Sequence, residues 1–341
     1  MIVPADDDAE VAVICTGSSP GTGTIVVEIG SMVSTITVTV PAAFALDTTT
    51  TNLTDQMLSL CANACFAGTT SYSTVPYYTL DTPRNVTLAY TEERAHPRPV
   101  VYADVLPIWA TTYATQYTLQ ATLNGTKLHF VNGDTLIYFS GSTTTVRLAG
   151  QFDASAYTTG VYSLAVTVTG IFSGGATMPL TYSRPLIIVN EAASTIAKGW
   201  TIAGLQHLYI AGSTYLITDG TGSAVYFSGL GSQAADYTTL TYNSSGGYYV
   251  RAYPDSSHVY FSTTGQCLGS VDRLGFVTEY GYTGTQLTSI IDPERYLRGA
   301  GTYLSLAYGT YGLDSISEVA GSAGRTTNVT VASDGTLRTI K

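Results

Sequence analysis

Residues 271–293 read Val271-Asp272-Arg273-Leu274-Gly275-Phe276-Val277-Thr278-Glu279-Tyr280-Gly281-Tyr282, then, after three residues, Gln286-Leu287-Thr288-Ser289-Ile290-Ile291-Asp292-Pro293. Asp and Gly bracket a turn, because each supplies local hydrogen bonding or a positive φ. An aromatic strand follows, then a second turn and a second strand. The Leu-Thr-Ser-Ile element recurs. It stands as Leu268-Gly269-Ser270-Val271, Leu287-Thr288-Ser289-Ile290, Leu313-Asp314-Ser315-Ile316 and Leu337-Arg338-Thr339-Ile340, at spacings of 19, 26 and 24 residues. Gly265, Gly284, Gly312 and Gly335 precede the four copies. Each unit is a turn plus two short strands. One hairpin cannot bury its apolar face alone, but stacked hairpins can. The region from 191 to 341 is therefore expected to be a continuous antiparallel meander.

Upstream, residues 81–190 carry about seven short strand signals. Tyr117, Leu119, Ala121 and Leu123 alternate with polar partners, and Asn124-Gly125 follows, the pair favoured in a type I′ hairpin turn. Tyr162, Leu164, Val166 and Val168 alternate with Val161, Ser163, Ala165, Thr167 and Thr169. Short strands at this density predict an immunoglobulin-like β-sandwich. Residues 1–80 carry strand patterns at 11–14, 24–29 and 35–40. Leu53, Met57, Leu60 and Cys61 fall at helical spacing. A β-sandwich-like region with one short helix is expected there.

The composition agrees with an all-β chain. The 341 residues include 34 Gly and 26 Tyr, and only 11% are charged against about 25% in ordinary domains. Hydrophobic residues reach 45%, which excludes intrinsic disorder. The net charge of −10 repels phosphate backbones and anionic surfaces, so nucleic-acid binding is not expected. No apolar run approaches the roughly 18 residues of a membrane helix, and no membrane insertion is expected. Little Lys with abundant Thr, Tyr and Gly is the habit of secreted β-proteins, so an extracellular or cell-surface location is expected. Met1-Ile2-Val3-Pro4 and the acidic Asp6, Asp7, Asp8 and Glu10 do not make a secretory signal. Either a signal has been removed or the sequence is an internal piece of something longer.

The stretch from Val271 to Pro293 resembles the RHS/YD-repeat family of large secreted or surface proteins. Gly199-Trp200-Thr201-Ile202-Ala203-Gly204-Leu205 and Asp219-Gly220-Thr221-Gly222-Ser223 are similar to the segment that opens such repeats. Thr82-Pro83-Arg84-Asn85-Val86-Thr87-Leu88 and Gln151-Phe152-Asp153-Ala154 are similar to the β-sandwich that often precedes them. The resemblance covers about residues 60–341. It implies a sheet that spirals into a hollow shell, often around a C-terminal toxin or effector. About four repeat units are too few to close a shell, and the sequence stops at Lys341 as though mid-array.

Catalytic chemistry finds little support. His207 lies in an apolar strand and reads as structural, and His96 lies in the extended His96-Pro97-Arg98-Pro99. Gly220-x-Gly222 and Gly229-x-Gly231 do not join a strand to a helix, so they are not phosphate loops. Asp6, Asp7 and Asp8 read as a solvated segment, and Asp272, Asp292 and Asp334 as turn residues. Four cysteines are present, Cys15, Cys61, Cys65 and Cys267. A local Cys61–Cys65 disulfide is expected, with unpaired buried thiols as the alternative. A zinc site would need more clustered ligands. No catalytic residue, metal or cofactor is expected.

Tyr248-Tyr249 and Tyr77-Tyr78 are the candidate aromatics for assembly or for stacking on glycans. In a strand one member of each pair faces the core and the other faces out. The expectation is a non-enzymatic extracellular structural protein whose partners are copies of itself. A repeat array with an unpaired edge and few charges to blunt it would pair with the next copy and make a filament or sheath. The alternatives are the N-terminal portion of a larger RHS-type toxin-delivery or adhesion protein, and a module binding cell-wall or surface polysaccharide.

Overall fold

A computed structural model describes residues 21–29, 32–40, 61–62, 69–80, 82–105, 108–109, 112–139, 146–299, 303–319 and 324–341. The described chain is all-β, with antiparallel pairing throughout and two short helices, Glu92–Ala95 and Pro293–Arg298. It divides into two compact units, Met1–Thr49 and Thr50–Lys341. In the first, Gly21–Ile29 pairs with Met32–Val40 along its whole length. The expected strand at 11–14, the residues from 51 to 60 of the expected helix, Cys15 and Cys65 lie outside the described residues. Cys61 opens a two-residue strand that pairs with Tyr102 and Val101. The Cys61–Cys65 pairing also lies outside them.

In the second unit, two sheets share one core. One has the order Val146–Gln151, Val100–Val105, Cys61–Ala62. The other is built on Thr112–Leu123, Gly160–Phe172 and Thr177–Ile188. Leu119, Ala121 and Leu123 meet Leu164, Val166 and Val168 on the inner face, with Val101, Ala103 and Leu148 from the facing sheet. The period of two alone dictates this, since every second side chain points inward. Asn124 and Gly125 both take positive φ, 48° and 81°, as the type I′ turn requires. The last strand, Thr177–Ile188, runs through Pro179 and Pro185 at the sheet edge.

Residues on the two sides of 80/81 and of 190/191 pair with one another. Thr87–Thr91 lies between Thr69–Ser73 and Trp200–Ile202 in one sheet. Tyr77, Val86, Leu88 and Ile202 share a core with Leu287, Ile290, Leu304, Leu313 and Val329. Residues 191–199 are tied on both sides. Glu191 N–H donates to the Arg94 carbonyl at 2.9 Å, Lys198 N–H to the Gly335 carbonyl at 2.8 Å, and the Ile196 carbonyl accepts from Leu313 N–H at 2.8 Å.

Ten strands then follow in strict chain order in one sheet. They are numbered here β1 Thr239–Asn243, β2 Tyr248–Ala252, β3 His258–Phe261, β4 Cys267–Val271, β5 Val277–Thr283, β6 Gln286–Ile291, β7 Tyr303–Tyr308, β8 Leu313–Val319, β9 Thr326–Val331 and β10 Leu337–Ile340. Gly265, in the β3–β4 turn, needs its φ of +89°, and a Cβ there would lie 1.8 Å from the Leu208 carbonyl oxygen. That contact brings the smaller sheet of His207–Ala211, Thr214–Thr218 and Ala224–Phe227 onto the meander, and a third core forms from Leu208, Ile217, Phe227, Leu240 and Phe261.

Candidate functional site

The four repeats share one backbone device. The register slips between Tyr260 and Phe261, between Gly281 and Tyr282, between Ala307 and Tyr308, and between Thr330 and Val331. At each slip two residues of the repeat strand oppose one of its partner, which is a β-bulge. The residues facing Phe261, Tyr282, Tyr308 and Val331 are Cys267, Leu287, Leu313 and Leu337. Cys267, Leu287 and Leu313 are 1–3% exposed, and Leu337 packs against the same core as Leu287 and Leu313. The sequence alignment of the first copy therefore moves by one residue. Cys267, not Leu268, is the equivalent of the repeat leucine, and Leu268 is the extra residue of the bulge, 38% exposed.

Burial pushes the Cys267 thiol up to about 12, so it packs as a small hydrophobe. Burial also lowers the His207 pKa, which favours the neutral ring, and the Tyr209 ring lies beside it at 4.6 Å. His96 is exposed and bonded to Glu92 Oε1 at 2.7 Å and Lys198 Nζ at 2.6 Å.

The turn aspartates divide. Asp272 Oδ1 accepts from Leu274 N–H at 2.8 Å and Phe276 N–H at 2.9 Å, and Asp334 Oδ1 accepts from Thr336 N–H at 2.9 Å. Both fit turn chemistry. Asp292 does not, which corrects its reading as a turn residue. It is 1% exposed, lies 3.5 Å from Arg84 Nη1, and accepts from the Tyr77 hydroxyl. Its Oδ2 has no hydrogen-bond partner among the described residues. Burial raises its pKa against the lowering by Tyr77 and Arg84. A cavity of about 350 Å³ adjoins it, lined also by Thr278, Tyr280 and Leu304. A second cavity, about 440 Å³, adjoins Arg94, which is 4% exposed and lies 3.4 Å from Thr201 Oγ1. Asp292 ties the segment around Arg84 to the meander, and Arg94 ties its own segment to the strand Trp200–Ile202. Among the described residues no three His, Cys, Asp or Glu gather as metal ligands.

The tyrosine pairs also divide. Tyr77 is 5% exposed and belongs to the core, which removes it from any stacking surface. The Tyr78 side chain lies outside what the structure describes. Tyr248 is half-buried, edge-on to Tyr260 at 5.6 Å, and its hydroxyl accepts from Asn243 Nδ2 at 2.8 Å. Tyr249 lies between Tyr215 at 5.9 Å and Tyr242 at 4.7 Å. Within this cluster the exposed ring is Tyr242, at 42%. The Tyr-Tyr doublets drew attention away from it, although Tyr242 is the register partner of Tyr249.

The sheet ends in two different edges. On the outer side of β1, the Leu240 carbonyl accepts from Gly231 N–H at 2.8 Å, the Thr238 carbonyl from Ala234 N–H at 2.9 Å, and Gln233 bridges Thr239. Among the described residues that cover stops at Leu240. At the other end, Lys341 exchanges both backbone bonds with Asn328, at 2.8 and 2.9 Å. By the antiparallel alternation, Ile340 turns its N–H and C=O outward. No strand among the described residues pairs there. No helix among the described residues is long and apolar enough to cross a membrane. No protein-family model matches this chain, and no curated protein is significantly similar to it in sequence.

Proposed function

We propose that this chain is a non-enzymatic extracellular structural protein of the RHS/YD-repeat type, which assembles with copies of itself through β-strand pairing into a surface filament or sheath. The observation that carries this reading is the bulged hairpin repeated four times in one sheet, with the same backbone presented again at β10. A bulge can end pairing. Here it does not, since β4, β6 and β8 each carry one and still accept the next strand. The paired sheets over residues 100–188 are read as the immunoglobulin-like sandwich that precedes such arrays. The low charge and the Tyr and Thr content favour the cell surface.

The second reading is the N-terminal portion of a larger RHS-type protein. It is favoured by the same equivalence, because β10 would accept a further repeat of its own chain just as well. Sedimentation velocity and negative-stain electron microscopy over a concentration series separate the two. Regular fibres with a repeat near one subunit length are expected. Monomers at every concentration would overturn self-assembly and leave the second reading.

A further inference from the structure

The geometry points to one contact between copies of this chain: residues 241–243 of one copy pair antiparallel with residues 339–341 of the next, with Tyr242 opposite Ile340. This rests on the self-assembly reading and names its interface.

The register of the three interior repeats sets the register of the fourth. Counted from the buried Cys267, Leu287 and Leu313, the second residue on is the first to pair with the following strand: Gly269 with Glu279, Ser289 with Ser305, Ser315 with Asn328. Each contact is three residues long. The equivalent of these positions in β10 is Thr339, so the incoming strand meets residues 339–341. The free stretch of β1 beyond its cover is residues 241–243, which has the required length.

Polarity and bonding parity both agree. The meander is antiparallel in strict order, so β1 runs as β5, β7 and β9 do and opposes β10. The outward carbonyls of Thr238 and Leu240 place those of Tyr242 outward as well. Ile340 and Tyr242 then exchange both backbone bonds, with Thr241 beside Lys341 and Asn243 beside Thr339. The cover by Gly231 and Gln233 stays in place.

The faces match too. Tyr242 shares the face of Leu240, which is fully buried in the core. Ile340 packs against the core of Leu287, Leu313 and Val329. The exposed Tyr242 ring would be covered by Ile340, as Ile290 faces Leu304 inside the sheet. The two patches differ, so the contact is head-to-tail, and one that does not close makes a filament.

Thr241 and Lys341 point their backbone groups inward, so across the contact they form the close, non-hydrogen-bonded pair with Cα atoms about 4.5 Å apart. That lies within disulfide range. The test mixes full-length Thr241→Cys with Lys341→Cys under mild oxidation, with each variant alone as control. A crosslinked dimer is expected only in the mixture. In parallel, Ile340→Pro removes the outward N–H without touching a bond to β9, and Ile340→Ala keeps that N–H. Fibres should vanish in the proline variant and persist in the alanine one. Fibres without the crosslink would overturn this interface while self-assembly stands. Monomers at every concentration, with neither fibres nor crosslink, would remove the self-assembly reading and this contact with it.

Discussion

Arg84 and Asp292 stand 208 residues apart in the chain and 3.5 Å apart in space. Their contact ties the hairpin of Tyr77–Thr79 and Thr82–Arg84 to the middle of the meander. The partners are unequal. Asp292 is 1% exposed, while the Arg84 side chain is 34% exposed. Removing Arg84 leaves a buried carboxylate with the Tyr77 hydroxyl alone. Arg84→Ala should cost about 1–3 kcal/mol at neutral pH, the penalty for a buried polar group left short of partners. Asp292→Asn should cost less, because Arg84 can turn to water. Denaturant melts of both variants check the order.

The same carboxylate gives a pH signature. Its folded pKa is raised, with burial as the largest cause. A raised carboxyl pKa means that ionisation opposes folding. That cost is present above the folded pKa and is relieved as pH falls through it toward the unfolded value of about 3.9. Wild type should therefore gain stability relative to Asp292→Asn across that window. Melting temperatures of the pair from pH 7 down to pH 4 measure this. A constant difference would mean that folding does not raise the Asp292 pKa.

The bulge gives neighbouring residues opposite surroundings. Leu313 is 1% exposed, and Asp314, the extra residue of the bulge, is exposed. Leu313→Ala should destabilise by about 2–5 kcal/mol, the range for truncating a buried leucine. Asp314→Ala should stay within about 0.5 kcal/mol, as surface changes do. Chemical denaturation reads both. A large effect at Asp314 would place the bulge elsewhere.

The repeat leucine is Cys267 in the first copy, and its thiol is buried with a pKa pushed up to about 12. The thiolate is the reactive form. Native protein at pH 8 should leave Cys267 unmodified by an alkylating reagent, and denatured protein should label it. Peptide mapping by mass spectrometry isolates this site from the other cysteines.

How much of this could be read from the residues depends on the range of the interaction. The Asn124-Gly125 turn and the Leu164, Val166 and Val168 alternation depend on local sterics and on a period of two, so they were legible. The repeat was legible as a recurrence, but its first copy was placed one residue off. A bulge adds a residue without a change in composition, so Leu268 and Cys267 exchange roles with no local sign. In the sequence Asp292 reads as a turn residue because its neighbours are turn-forming. Its burial comes from Tyr77 and Arg84, far away in the chain. The exposure of Tyr242 carries no local sign, because it depends on where the cover of residues 231–233 stops.

Thr177–Ile188 lies at the side of its sheet and carries Pro179 and Pro185. Proline has no N–H to offer an incoming strand, which is one way natural sheets prevent unwanted pairing. Neither β10 nor residues 241–243 contain proline. Replacing both prolines with threonine should open a second edge, and association should then become branched or amorphous instead of filamentous. The net charge of −10 sets the salt dependence of either process, since like-charged copies repel until the repulsion is screened. Assembly of the unaltered chain should therefore accelerate from about 10 mM to 150 mM salt. Light scattering with electron microscopy follows both effects. If the double proline variant assembles like the unaltered chain, these prolines do not guard the edge.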